Sequence, residues 1–336
     1  MQSDVIMLGG VVVAVLGYVA LFGGAKKARP PSRDVWSEVA QRRDGKYSGP
    51  PASGMTGVQH SMDVRVGHVV VRLEAVRTTN LFGAIEHTTA RARWLIDRGP
   101  EFHVTKQVRD TMQKSISDYL GLGDADFDYA FLVAGNDNAA IRYVFSDLAR
   151  KRLVNVLPKA TMRSDGEHVT LTTVGAVDSE RVLDSLLDVV GDVASAGATA
   201  LDVFTSLPGA KVVRARGAWG DDVQPELRIT LTRGECIARL RWGTGAPVPR
   251  LSHPTRDVFP PFDVSIVAGR LPDVPPGMLS EYAIRLLPEL DGVALRCKKG
   301  VFSLGWTTMP PPPSLLAGAK LLVELAHSSG HVGPFR

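Results

Sequence analysis

Residues 5–25 (VIMLGGVVVAVLGYVALFGGA) form a run of 21 positions without a charge. A helix of that length rises about 30 Å, enough to cross the hydrocarbon core of a bilayer. A lone apolar run in lipid can satisfy its backbone groups only as a helix. The chain is therefore expected to be tethered to the bilayer through residues 5–25, with the rest of its 336 residues hanging from that anchor. Lys26, Lys27, Arg29 and Arg33 follow the run at once, and only Asp4 precedes it with a charged side chain. The positive-inside rule then places the N-terminus outside and the body in the cytoplasm, a single-pass arrangement in the inner membrane. A cleaved signal peptide, cut near Gly23 or Ala25, is the rival. It needs a basic leader, and residues 1–4 (MQSD) contain no Lys or Arg.

The formal net charge of +4 belongs mostly to this junction. Its four basic residues supply that much, Asp4 offsets one, and the remaining chain stays near neutral. Basic residues there suit anionic lipid. A nucleic-acid reader needs a dense basic face, so composition argues against that partner. Cys236 and Cys297 are the only cysteines, too few for a disulfide framework or a zinc set, and both lie in apolar stretches that suit buried free thiols.

Residues 26–61 hold two Pro-Pro pairs with scattered Gly and Ser, the composition of a spacer, and one short helical candidate at 36–43. Beyond them the chain divides into a first α+β unit over 62–200, a connector over 201–225 and a second unit over 226–330. The division rests on an internal duplication. Phe127-Asp128 opens FDYAFLVAG and Phe262-Asp263 opens FDVSIVAG, both read as strands. A helical stretch follows each and ends at Leu157-Pro158 or Leu287-Pro288. A hairpin comes next, turning at Asp165-Gly166 in one copy and Lys299-Gly300 in the other. A closing apolar helix begins near Ser179 and near Ser314, and each serine lies 52 residues beyond its FD pair. Upstream, residues 90–94 (ARARW) are echoed by 238–242 (ARLRW). Alternating segments before each echo predict antiparallel strands. The fold class expected is α+β: a transmembrane helix, then a duplicated antiparallel sheet with helices packed on it. The first copy carries an extra helix over 107–122, and the second replaces that stretch with a Pro-rich loop over 247–261.

The lead-in at 36–40, the Gly-containing strand pair, the arginine-rich strand, the F-D strand, the L-P step and the D-G hairpin resemble uncharacterised membrane-anchored bacterial proteins, many of them from myxobacteria and related Gram-negatives. The resemblance covers about residues 36–197 and rests on short motifs. It implies a membrane segment and a cytoplasmic α+β domain, and it implies no activity, cofactor or site residue.

Motifs for chemistry are missing. The chain has no G-x-S-x-G, no S-x-x-K and no phosphate loop. Gly121-Leu122-Gly123 and Gly243-Thr244-Gly245 read as loops. His327 and His331 are four apart but flank Gly330 at a helix end, which suits fraying better than a metal site. The GDADFD run at 123–128 starts like a calcium loop, yet Tyr129 and Gly135 stand where that loop needs Gly and Glu. Asp128 is read instead as an anchor for turn amides, and residues 136–138 as a helix cap. No metal, cofactor or catalytic residue is assigned.

One clue remains. If 90–94 and 238–242 are strands, Arg91 and Arg93 point away from Trp94, and Arg239 and Arg241 away from Trp242. A half-solvated sheet explains the pattern. Duplication also offers four arginines that together form an anion patch, for a lipid head group or an acidic protein segment. The reading is a membrane-tethered cytoplasmic interaction or scaffold protein. The alternatives are an enzyme on a membrane-proximal substrate, or a periplasmic binding domain if the topology is reversed.

Overall fold

The computed structural model describes residues 33–49, 57–80, 83–107, 119–216, 223–255, 259, 261–267, 270–275 and 277–328. The anchor expected at 5–25, the basic residues Lys26, Lys27 and Arg29, and residues 108–118 of the stretch expected to form an extra helix lie outside them. Among the described residues no helix is long and apolar enough to cross a membrane.

The fold is α+β, with two antiparallel sheets and helices packed on them. The first half opens with α1 (Arg33–Arg42), then β1 (Lys46–Ser48), β2 (Gly57–Val66), β3 (Val69–Asn80), β4 (Gly83–Arg93) and β5 (Glu101–Lys106). It continues through α2 (Ala125–Ala130), β6 (Phe131–Gly135), α3 (Asn138–Val144), α4 (Asp147–Val156), β7 (Thr161–Asp165), β8 (His168–Val174) and α5 (Glu180–Ala194). Its strands lie in the order β1-β2-β3-β4-β8-β7-β5-β6. Strict alternation builds the buried face: Met62 and Val64 on β2, Val71 and Leu73 on β3, and Ala90 and Ala92 on β4 are at most 3 % exposed. The stripe Leu183, Leu186, Val189, Val190 and Val193 of α5 closes over that face, every member 0 % exposed.

The second half runs through a 3-10 turn (Asp202–Phe204), β9 (Ala210–Arg216), β10 (Val223–Leu231), β11 (Gly234–Trp242), β12 (Pro247–Pro254) and β13 (Phe262–Ser265). Next come α6 (Glu281–Leu286), a 3-10 turn (Leu287–Leu290), β14 (Ala294–Lys298), β15 (Val301–Gly305) and α7 (Pro312–Ser328). Its strand order is β13-β14-β15-β12-β11-β10-β9. The two orders match. In each half a four-strand run is followed in space by the closing hairpin, whose second strand pairs with the fourth strand of the run. A preceding strand, β5 or β13, then borders the hairpin's first strand. The first sheet adds β6 at its edge.

Two of the sequence markers fall out of register with this correspondence. Phe127-Asp128 lies in α2, not in a strand, whereas Phe262-Asp263 opens β13. Asp124 caps α2 by accepting from the Phe127 amide at 3.1 Å, and Asp128 accepts from the amides of Leu122 and Gly123 at 2.8 and 3.0 Å. Those bonds select one helical turn where the F-D-Y-A-F alternation suggested a strand. The arginine echoes are also a strand apart: 90–93 sit on β4, the fourth strand of its run, and 238–242 on β11, the third.

Four further expectations are corrected. The short helix expected at 36–43 is present as α1, but the rest of the stretch read as a spacer holds β1 and the start of β2. Trp36, fully buried, donates from its indole to the Val177 carbonyl at 2.9 Å and so fixes α1 to the first core. The connector holds β9 and the buried Leu201 and Phe204. Residues 247–254 of the Pro-rich loop form β12, which lies inside the sheet. Its prolines are accommodated by offset pairing: β11 pairs residues 247–252 and β15 pairs 250–254. Pro247, Pro249 and Pro254 thus fall where β12 has a single neighbour, as on an edge strand. Ser314 does not cap α7, which starts at Pro312; its hydroxyl donates to the Glu289 carbonyl at 2.7 Å.

Candidate functional site: a basic cleft between the sheets

Helix α7 packs against β10, β11, β12 and β15, and the Cys236 thiol on the inner face of β11 donates to the Ala319 carbonyl of that helix at 3.4 Å. Alternation therefore turns Arg239 and Arg241 to the face away from α7. Register gathers more cations beside them. Arg239 pairs directly with Arg250 across β11 and β12, Arg250 with Gly305, and Ser252 with Ser303. Ser303 pairs with Arg296, and Val301 with Lys298. Like charges directly opposite one another destabilise a sheet, so the Arg239–Arg250 pair works against stability.

The first half completes the site. Arg93 and Trp94 at the end of β4, Asp97 and Arg98 in the turn that follows, and Glu167 in the β7–β8 turn form the other wall. Together with Arg239, Arg241, Trp242, Arg250, Ser252, Lys298 and Ser303 they line a cleft of about 710 Å³. A second cavity of about 500 Å³ shares Arg250 and Lys298 and adds Asp263 and Arg296. Trp242 carries the junction: its ring meets Trp94 edge-to-face at 5.7 Å and 81°, and Tyr143 at 6.1 Å and 83°. The Trp94 indole in turn donates to Ser164 at 2.9 Å.

The cations differ in how they are balanced. Arg239 is held by Glu226, 4 % exposed, through Nε and Nη2 at 2.7 Å each. Arg296 pairs with Asp263 at 2.8 Å. Arg250 donates to the Ser303 hydroxyl at 3.0 Å, and Arg241 to the Trp306 carbonyl at 3.1 Å. Neither of these two has a carboxylate in salt-bridge reach among the described residues. The Arg241 guanidinium is held below the usual arginine range, by burial first and then by the neighbouring Arg250 and Arg296. Its Nε and the Trp242 Nε1 are closed off without a partner. Gly305 makes room for it, since a Cβ there would stand 3.0 Å from Arg241 Nη2.

Of the four arginines expected to form an anion patch, Arg93, Arg239 and Arg241 line the cleft. Arg91 does not; it is exposed on the open face of the first sheet, paired with Arg72 and Thr170. Trp94 is buried, but Trp242 is only partly so. Arg33, of the membrane-junction group, begins α1 and is exposed. Sequence reading missed Arg98, Arg250 and Lys298. The signal for Arg250 was present in the alternation of 247–254, masked by its prolines.

Among the described residues no group of three or more His, Cys, Asp or Glu is placed to hold a metal. Cys236 and Cys297 are buried, and burial pushes the Cys236 thiol up to about 12, so little thiolate forms at neutral pH. The arrangement can hold a multivalent anion by several guanidinium groups at once.

No protein-family model matches the chain, and no curated protein matches it. The resemblance drawn from the sequence, to bacterial proteins without an assigned activity, agrees with both results. Among solved structures, the chain is similar to the crystal structure of the mycobacterial trehalose monomycolate transport factor A, TtfA, at 11 % identity, over 49 % of this chain and 96 % of that one. The TM-score is 0.33, too low for the likeness to carry any argument about fold or function.

Proposed function

We propose that this chain is a membrane-tethered binding protein that holds an anionic partner in the cleft between its two sheets. The observation that carries this reading is the convergence of Arg239, Arg241 and Arg250 from paired strands, where Arg241 and Arg250 have no carboxylate counterion among the described residues. Structural arginines on a sheet are ordinarily solvated singly or paired. A row of opposed like charges in a cleft is instead the arrangement that an anion completes. The shared strand order supports a duplicated unit that formed the cleft by joining its copies. The uncharged run at 5–25 with its basic flank supports an anchor in the inner membrane with the body in the cytoplasm.

Calorimetric titration of the full-length chain in neutral detergent tests the binding role, with a hexaglutamate peptide and pyrophosphate as probes. At least one anion should bind, more weakly in about 500 mM salt than in about 50 mM, since screening shortens from about 14 Å to about 4 Å. The doubly substituted Arg241→Gln, Arg250→Gln chain should lose that binding. Equal behaviour of the two chains toward every probe refutes the reading. A cytoplasm-dependent reporter fused after Arg336 tests the topology, and digestion of the body from the periplasmic side in spheroplasts refutes it.

A further inference from the structure

The charge of the cleft and the convergence of its arginines narrow the class of anion. Six cationic side chains line it against the carboxylates of Asp97 and Glu167. Glu226, directly opposite on β10, neutralises Arg239, while Arg241 and Arg250 have no carboxylate in salt-bridge reach among the described residues, which leaves two positive charges unbalanced. One carboxylate cannot balance that excess, whereas a terminal phosphate carries close to two negative charges on three acceptor oxygens around one centre. Arg239 and Arg250, directly opposed, have Cβ atoms about 5 Å apart, and Arg241 follows about 7 Å along β11. Forks so placed reach a single tetrahedral group. The Ser303 hydroxyl, accepting from Arg250, keeps its own proton to donate.

We infer that the cleft takes a phosphomonoester or diphosphate group, held by Arg241 and Arg250 with Ser303. This rests on the anion-binding reading above. The cleft volume of about 710 Å³ exceeds what free phosphate fills and suits a phosphorylated head group or a soluble phosphate ester. The shared chemistry is the terminal phosphate.

Tryptophan fluorescence of the full-length chain in neutral detergent reads binding through Trp242. Pyrophosphate and citrate, of similar charge, are the paired probes. Pyrophosphate should bind at least about tenfold more tightly than citrate, because citrate spreads its charge over three separated carboxylates. Arg241→Gln with Arg250→Gln should weaken pyrophosphate by about tenfold or more. Arg250→Lys, which keeps the charge and loses the fork, should weaken it several-fold and guards against a folding defect in the double variant. Short-chain phosphatidic acid and phosphatidylserine in mixed micelles separate the sources. Competition by phosphatidic acid alone assigns a lipid phosphomonoester, and no competition by either lipid assigns a soluble ester. Citrate binding as tightly as pyrophosphate, or hexaglutamate binding where pyrophosphate and phosphatidic acid both fail, overturns the phosphate assignment and leaves the anion-binding reading standing. Failure of every anion removes both.

Discussion

Trp94 and Gly99 show how narrowly the wall of the cleft is defined. A Cβ on Gly99 would stand 2.2 Å from two ring atoms of Trp94. That ring is 3 % exposed, bonded to Ser164 and set edge-on to Phe102 and Trp242, so it has no free direction of retreat. Gly99→Ala is expected to cost about 1–3 kcal/mol by overpacking, and Trp94→Ala about 3–5 kcal/mol through the cavity it leaves. Arg91→Gln is the control. Its side chain is exposed and lies outside the cleft, so stability should change by less than about 0.5 kcal/mol. Urea denaturation of the three variants checks all of this. A Gly99→Ala midpoint equal to that of the unmodified chain would show that Trp94 moves freely.

Among the elements, α1 joins the expected anchor to the body, and ion pairs reinforce its seat on α5. Arg43 reaches Asp184 at 2.8 Å and Asp188 at 2.6 Å, and Asp188 also takes Arg152 of α4 at 2.9 Å. Arg43 and its two partners are only 17–27 % exposed at the side chain, so these pairs are screened less than a surface bridge. Arg43→Ala is expected to cost about 1–2 kcal/mol, between the usual values for exposed pairs and for bonds to charged groups. Hydrogen exchange should quicken in α1 with β9–β15 unchanged; a uniform change across both halves would contradict a local clamp. The hairpins and closing helices around this region were legible from sequence because each has a local cause. Lys299 and Gly300 adopt φ of 51° and 71°, as a two-residue primed turn requires, and the α5 stripe repeats at helical spacing. The FD helix and β12 were not legible, since capping bonds decided one and offset pairing admitted the prolines of the other. The cleft was half legible: alternation put Arg239 and Arg241 on one face, but the Arg239–Arg250 opposition exists only once register is fixed.

At the scale of the whole molecule, the two cores are joined at the wall they share, and acid should loosen the first. His60 lies 4 % exposed beneath Trp36, its Nδ1 in a 2.6 Å hydrogen bond with the Tyr47 hydroxyl. Burial, and then the charge of Arg33, holds His60 below its ordinary value of 6.5. His168, on β8, is also held down, by burial first and then by Arg91, with Asp165 and Glu167 opposing. Both imidazoles take up protons more readily in the unfolded chain, so stability rises with pH through this window. Their contribution is complete above about pH 6.5 and is lost as pH falls through the folded values. The first half supplies Arg93, Asp97 and Glu167 to the cleft, so its loosening should withdraw one wall. Calorimetry of the full-length chain should show a lower melting temperature at about pH 5.5 than at about pH 7.5. Hydrogen exchange at the lower pH, corrected for the intrinsic rate, should show protection lost in β2 and β8. His168→Gln should flatten part of the pH dependence without harming the fold, because that side chain is 28 % exposed and Gln does not titrate in this range. A melting temperature constant between the two pH values would exclude His60 and His168 as the acid-sensitive element. A loss of protection confined to β9–β15 would place that element in the wrong half.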